Sequence, residues 1–158
     1  FLEALDHELA RMRRTAKPLT LAYVDLDRFK AVNDTLGHAA GDALLREVAS
    51  SLTDSLRAVD VVARLGGDEF ALLLPDTDSA AGGVALERCH EAVRAAIRKT
   101  PGIPDRVSAT IGAIAFQQAP SSAEAAVRAA DDRMYKAKRA GRDQLSLGGP
   151  DRPGAVAR

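Results

Sequence analysis

The chain has 158 residues and sets 22 Lys plus Arg against 22 Asp plus Glu, so its formal charge is zero. That length suits one domain with a real buried core, and the balanced charge argues against a nucleic-acid polymer as partner, because such binders carry a basic excess. A hydrophobic content of 46% excludes a disordered chain, and 4% aromatic residues with no Trp exclude a broad stacking platform for single strands.

Leu2, Leu5, Leu9 and Met12 recur at helical spacing and predict an opening amphipathic helix, with Arg11, Arg13 and Arg14 toward its C-terminal end and Pro18 beyond it. Leu19 to Val24 reads as a buried strand, and Asp25 to Gly41 as a polar, irregular stretch. Leu44, Leu45, Val48, Leu52 and Leu56 form the stripe of a second helix. Val61 to Leu65 and Phe70 to Leu74 flank Gly66-Gly67 as a β-hairpin.

A third helix carries Leu86, Cys89, Val93 and Ile97 on one face. Val107 to Phe116 is a further strand. A fourth helix uses Val127, Ala130, Met134 and Ala137, with Gly141 as its C-terminal cap. Leu145 to Leu147 is read as a last strand, and 148–158 as a Gly/Pro-rich tail or linker. Two strand–helix–strand units sharing a sheet predict an α+β sandwich, ferredoxin-like or nucleotidyl-cyclase-like. Its central sheet is mixed and mainly antiparallel, with about five strands flanked by helices.

The single cysteine, Cys89, cannot form an internal disulfide, which suits a reducing compartment. The longest uncharged stretch, Val107 to Ala123, contains Ser, Thr, Gln and Pro and does not read as a membrane span. The chain starts at Phe1 without a signal-peptide pattern. We expect a cytoplasmic piece of a longer protein, making no direct membrane contact through this segment, with any anchor outside it.

Four clusters carry chemistry. Asp25-Leu26-Asp27 places carboxylates at a strand end, where Mg²⁺ is held by one or two carboxylates together with substrate phosphate oxygens. Gly66-Gly67-Asp68-Glu69 puts an acidic pair at a hairpin tip whose glycines allow a phosphate or sugar close to the backbone. Asn33 and Asp42, around Gly37-His38, have the donor and acceptor groups to read a guanine edge. Lys138 and Arg142, four residues apart, reach for phosphate as a point charge and a fork. Taken singly, each also has a plain structural reading: strand-end turn, ordinary hairpin, helix start, solvated helix end.

Together they resemble a family. RLGGDEF at 64–70, DLDRFKAVNDTLGHAAGD at 25–42 and MYKAKRAGRDQ at 134–144 closely resemble the GGDEF-domain diguanylate cyclases, over roughly residues 1–147. The resemblance implies condensation of two GTP into cyclic di-GMP with release of two pyrophosphates, by two domains facing each other across a two-fold axis. It implies Mg²⁺, or Mn²⁺, held by Asp25, Asp68 and the Leu26 carbonyl, with Glu69 assisting. Asp68 and Glu69 are the implied catalytic acids, and which of them is the base stays open. Asn33 and Asp42 would read guanine beside His38, while Phe29, Lys30, Lys138 and Arg142 would hold phosphates. Arg57 and Asp60 match the family's RxxD product-inhibition site, with Arg88 supplying another arginine. The family's DxLT-type segment before the first helix is missing, which suggests truncation. Two other readings stay open: a non-catalytic regulatory module binding GTP or cyclic di-GMP, and a mononucleotide cyclase on a similar fold.

Overall fold

A computed structural model describes residues 1–149 of the chain. Its elements run α1 (Leu2–Thr15), β1 (Leu19–Asp27), α2 (Lys30–Leu36), α3 (His38–Asp54), β2 (Val61–Gly66), β3 (Glu69–Pro75), α4 (Ser79–Lys99), β4 (Ser108–Phe116), α5 (Ala123–Arg139) and β5 (Leu145–Gly148). The strands form one sheet in the order β2-β3-β1-β4-β5. Every pairing is antiparallel except that of β4 with β5, which is parallel. The mixed, mainly antiparallel sheet expected from the sequence is the observed architecture.

β1 lies at the centre and is buried along its whole length. Its alternation divides the core. Leu19, Leu21 and Tyr23 pack with α1 and α5 on one face. Ala22, Val24 and Leu26 pack with α2, α3 and α4 on the other. Gly112 of β4 faces α5 so closely that an added Cβ would collide with the backbone of Met134. The bare strand therefore sets how near α5 comes to the sheet.

Two expectations change. The stretch from Asp25 to Gly41 is not irregular: β1 continues through Asp27, α2 follows, and α3 starts at His38. The short α2 forms because Ala31 and Val32 are buried in the core, an anchor that outweighs its polar composition. Gly37, at φ +84°, supplies the break between α2 and α3. At the other end, β5 reaches Gly148; the tail read over 148–158 lies otherwise almost wholly outside the described residues.

Gly141 caps α5 as expected. It stands at φ +132°, and the Arg142 amide donates to the Ala137 carbonyl at 3.3 Å, closing the last turn.

Candidate active site

Asp25 and Asp27, two residues apart on β1, share the sheet face that looks toward the end of α5. Lys138, near the end of α5, sets its Nζ 2.7 Å from Asp25 Oδ2. The β2–β3 hairpin brings the second acid. Asp25 is in register with Glu69, and the Leu26 amide donates to the Asp68 carbonyl at 3.3 Å. Gly67, at φ +53°, makes the tight turn, and Arg64 closes it by donating to the Gly67 carbonyl at 2.7 and 3.0 Å.

These parts enclose an open cleft of about 360 Å³ lined by Asp25, Leu26, Asp27, Phe29, Lys30, Asp68, Lys138 and Arg142, with Arg28 at its edge. Burial pushes the Asp68 carboxyl above its ordinary range, and the neighbouring Asp25 charge pushes the same way; Lys138 and a backbone hydrogen bond oppose them. Glu69 departs from the expected grouping. It lines a separate pocket of about 220 Å³ with Tyr23, Leu65, Asp131 and Met134, and Asp25 borders both spaces. In that second pocket the Tyr23 phenol is pushed up to about 12 by burial and by the charges of Asp131 and Glu69.

The proposed base-reading residues lie on α2 and the start of α3. Asn33 is half-buried, whereas His38 and Asp42 are exposed. Gly41 of α3 packs on α2, its backbone so near Asn33 Oδ1 and the Phe29 ring that an added Cβ would displace them. None of Asn33, His38 and Asp42 lines the carboxylate cleft itself.

Arg57 and Asp60 form a fork-to-fork pair, at 2.8 Å from Nη2 to Oδ1 and 3.2 Å from Nε to Oδ2. Arg57 Nη2 also donates to Thr77 Oγ1 and the Pro75 carbonyl, and its pKa is raised, chiefly by the Asp60 bond. Arg88 donates instead to the Ser55 carbonyl at 2.8 Å. It does not touch the Arg57–Asp60 pocket, though α4 runs nearby.

One residue of the first acidic cluster, Asp27, has no place in the implied metal set and stands out. Asp27 is 2% exposed. Its Oδ2 accepts from Ser108 Oγ at 2.8 Å, Thr110 Oγ1 at 2.7 Å and the Asp143 amide at 3.3 Å. Among the described residues its Oδ1 has no hydrogen-bond partner, and it faces Arg142 Nε at 3.8 Å. The strand-end spacing of Asp25 and Asp27 was its only signal in the sequence.

Likeness to known proteins bears on this geometry. The family described as "Diguanylate cyclase, GGDEF domain" matches residues 1–144. Diguanylate cyclase DgcP of Pseudomonas aeruginosa is 42% identical over 145 residues, covering 92% of this chain and 22% of its own length. The chain thus spans about a fifth of that relative. Diguanylate cyclase SiaD of P. aeruginosa, solved with its activator SiaC, superposes with a TM-score of 0.84 at 37% identity, covering 93% of this chain and 56% of that one. The GGDEF domain of DgcB from Caulobacter crescentus, solved in complex with c-di-GMP, gives a TM-score of 0.82 at 27% identity, covering 92% of this chain and 86% of that one.

Proposed function

This chain belongs to the GGDEF domain family, and on that premise we propose that it condenses two GTP into cyclic di-GMP with release of two pyrophosphates. The observation that carries the reading is the cleft in which Asp25 and Asp68 meet Lys138 and Arg142.

A divalent cation fits these residues. Two carboxylates repel across the cleft, and the Lys138 ammonium on Asp25 stands where positive charge is wanted. Among the described residues no group of three or more His, Cys, Asp and Glu is gathered as a metal cage. A set of two carboxylates and one carbonyl suits Mg²⁺ or Mn²⁺ completed by substrate phosphates, rather than zinc. Asp25, Asp68 and the Leu26 carbonyl would hold the ion, with Glu69 assisting from the adjoining pocket that Asp25 also borders. When bound, it supplies charge neutralisation of the triphosphate and acidifies the attacking hydroxyl.

The chain's own groups do the rest. Asn33 and Asp42 orient guanine beside His38, and Phe29, Lys30, Lys138 and Arg142 hold the phosphates. The 3′-hydroxyl of one GTP attacks the α-phosphorus of the other. The new O–P bond forms as the bond to the β-phosphate oxygen breaks, and pyrophosphate leaves against Lys138 and Arg142. The hydroxyl proton passes to a nearby carboxylate, Asp68 or Glu69.

With one open cleft per domain, two copies related by a two-fold axis present two GTP in opposite sense. Cyclic di-GMP bound back at Arg57, Asp60 and Arg88 inhibits; arginine forks suit its phosphates and guanine edges. The complex of DgcB with c-di-GMP supports a product site on this fold.

The test is chromatography after incubating the domain, fused to a dimeric coiled coil, with GTP and Mg²⁺. Cyclic di-GMP and pyrophosphate in a ratio of one to two are expected. Cyclic GMP as product, or GTP bound tightly without turnover, would overturn the reading.

A further inference from the structure

Arg142 sits on an unusual piece of backbone. Gly141, Arg142 and Asp143 all have positive φ, at +132°, +63° and +46°. Two successive non-glycine residues in the left-handed region persist only where surrounding contacts over-determine them. Asp143 supplies those contacts from both ends of its residue.

The Asp143 amide donates to Asp27 Oδ2 at 3.3 Å and to Thr110 Oγ1 at 3.1 Å, which fixes the loop to β1 and β4. The Asp143 carboxylate turns the other way, toward α4. Its Oδ2 lies 3.3 Å from Arg94 Nη2 and its Oδ1 lies 3.6 Å from His90 Nε2. His90 Nε2 is itself 2.8 Å from the Ala109 carbonyl, so the imidazole is anchored to β4, next to Thr110. Arg94 has a second partner in Glu91 at 3.2 Å.

We propose that Asp143, held by Arg94 of α4, is a positioning residue that aims Arg142 at the substrate phosphates. The proposal rests on the phosphate role given to Arg142 above. The carboxylate matters at 143 because it pairs with Arg94 of α4 while the backbone amide of the same residue is tied to Asp27 and Thr110. Asp is also among the few residue types that tolerate the left-handed region. The pair joins Arg142 to the helix that carries Arg88. It therefore ties the phosphate anchor to an element outside the cleft.

The experiment measures the affinity of the whole domain for a non-hydrolysable GTP analogue with Mg²⁺ by calorimetry, alongside the KM for GTP and kcat of the dimeric fusion. Asp143→Asn keeps the left-handed tolerance and removes the charge. Arg94→Gln removes the partner from a half-exposed site on α4, where unfolding is not at issue. Each is expected to weaken analogue binding and raise KM by about three- to five-fold, the range of a partly exposed ion pair, with kcat little changed. The double variant should be no worse than either single one, since both remove one interaction. In an Arg142→Ala background Asp143→Asn should have no further effect on binding.

Unchanged affinity in both single variants, or an undiminished effect of Asp143→Asn without Arg142, would overturn the positioning role while leaving the cyclase reading intact. A wild-type domain that neither binds the analogue nor forms product would overturn both. Loss of kcat with KM unchanged would also contradict it, because Arg142 would then not be acting through phosphate binding.

Discussion

Asp68 stands half-buried beside Asp25, and its carboxyl is held above the usual range, first by burial and then by the Asp25 charge. Because the folded value lies above the unfolded one, ionised Asp68 destabilises the fold. The penalty is complete above the folded pKa and vanishes below the unfolded pKa. Metal-free Asp68→Asn is therefore expected to melt at a higher temperature than the wild type at neutral pH, with the gap closing as the pH falls into the ordinary carboxylate range. Equal melting points at neutral pH would contradict it. Residue identities at this site were largely legible in the sequence, because Asp25, Asp68, Lys138 and Arg142 stand in recognisable strings. Their facing was less so. Asp68 and Glu69 read as one acidic pair, yet only Asp68 lines the cleft, while Glu69 turns to the pocket of Tyr23 and Asp131. Asp27 read as one of two strand-end carboxylates, but its partners were not legible, because Ser108, Thr110 and Asp143 lie more than 80 residues away along the chain.

At the scale of elements, the placement of α5 decides the site. Gly112 of β4 leaves no space for a Cβ against the Met134 backbone, so the helix rides close on the sheet and carries Lys138 to Asp25. Gly112→Ala forces backbone apart rather than a flexible side chain. It is expected to cost about 2 kcal/mol, the usual scale of overpacking, and to lower the urea midpoint and GTP affinity together. A variant with unchanged midpoint would show that α5 does not depend on this contact. The long elements were readable from their apolar periodicity. α2 was not, because a helix of seven residues has too few turns to show a period, and its buried Ala31 and Val32 declare themselves only against the assembled core. The parallel pairing of the short β5 with β4 likewise depends on where α5 delivers the chain.

For the whole molecule, a formal charge of zero conceals a spatial division. Acids gather at the β1 end and hairpin, cations at the end of α5, and a separate arginine–aspartate pair sits behind β3. Arg57 is oriented by Asp60, Thr77 and the Pro75 carbonyl, and its exposed side chain leaves the guanidinium open to a further acceptor. Arg57→Ala is therefore expected to raise the cyclic di-GMP concentration for half-inhibition by roughly ten-fold or more, the worth of charged hydrogen bonds. Unchanged sensitivity in an inhibition titration would remove this pocket from the regulatory scheme. No described helix is long and apolar enough to cross a membrane.

The most direct measurement compares wild type and Asp68→Ala as the same coiled-coil dimer, with GTP and Mg²⁺, following cyclic di-GMP by chromatography. Turnover by the wild type and none above background by Asp68→Ala is the predicted result, with both proteins folded by circular dichroism. Comparable product from the two would mean that the chemistry does not run through the cleft of Asp25, Asp68, Lys138 and Arg142.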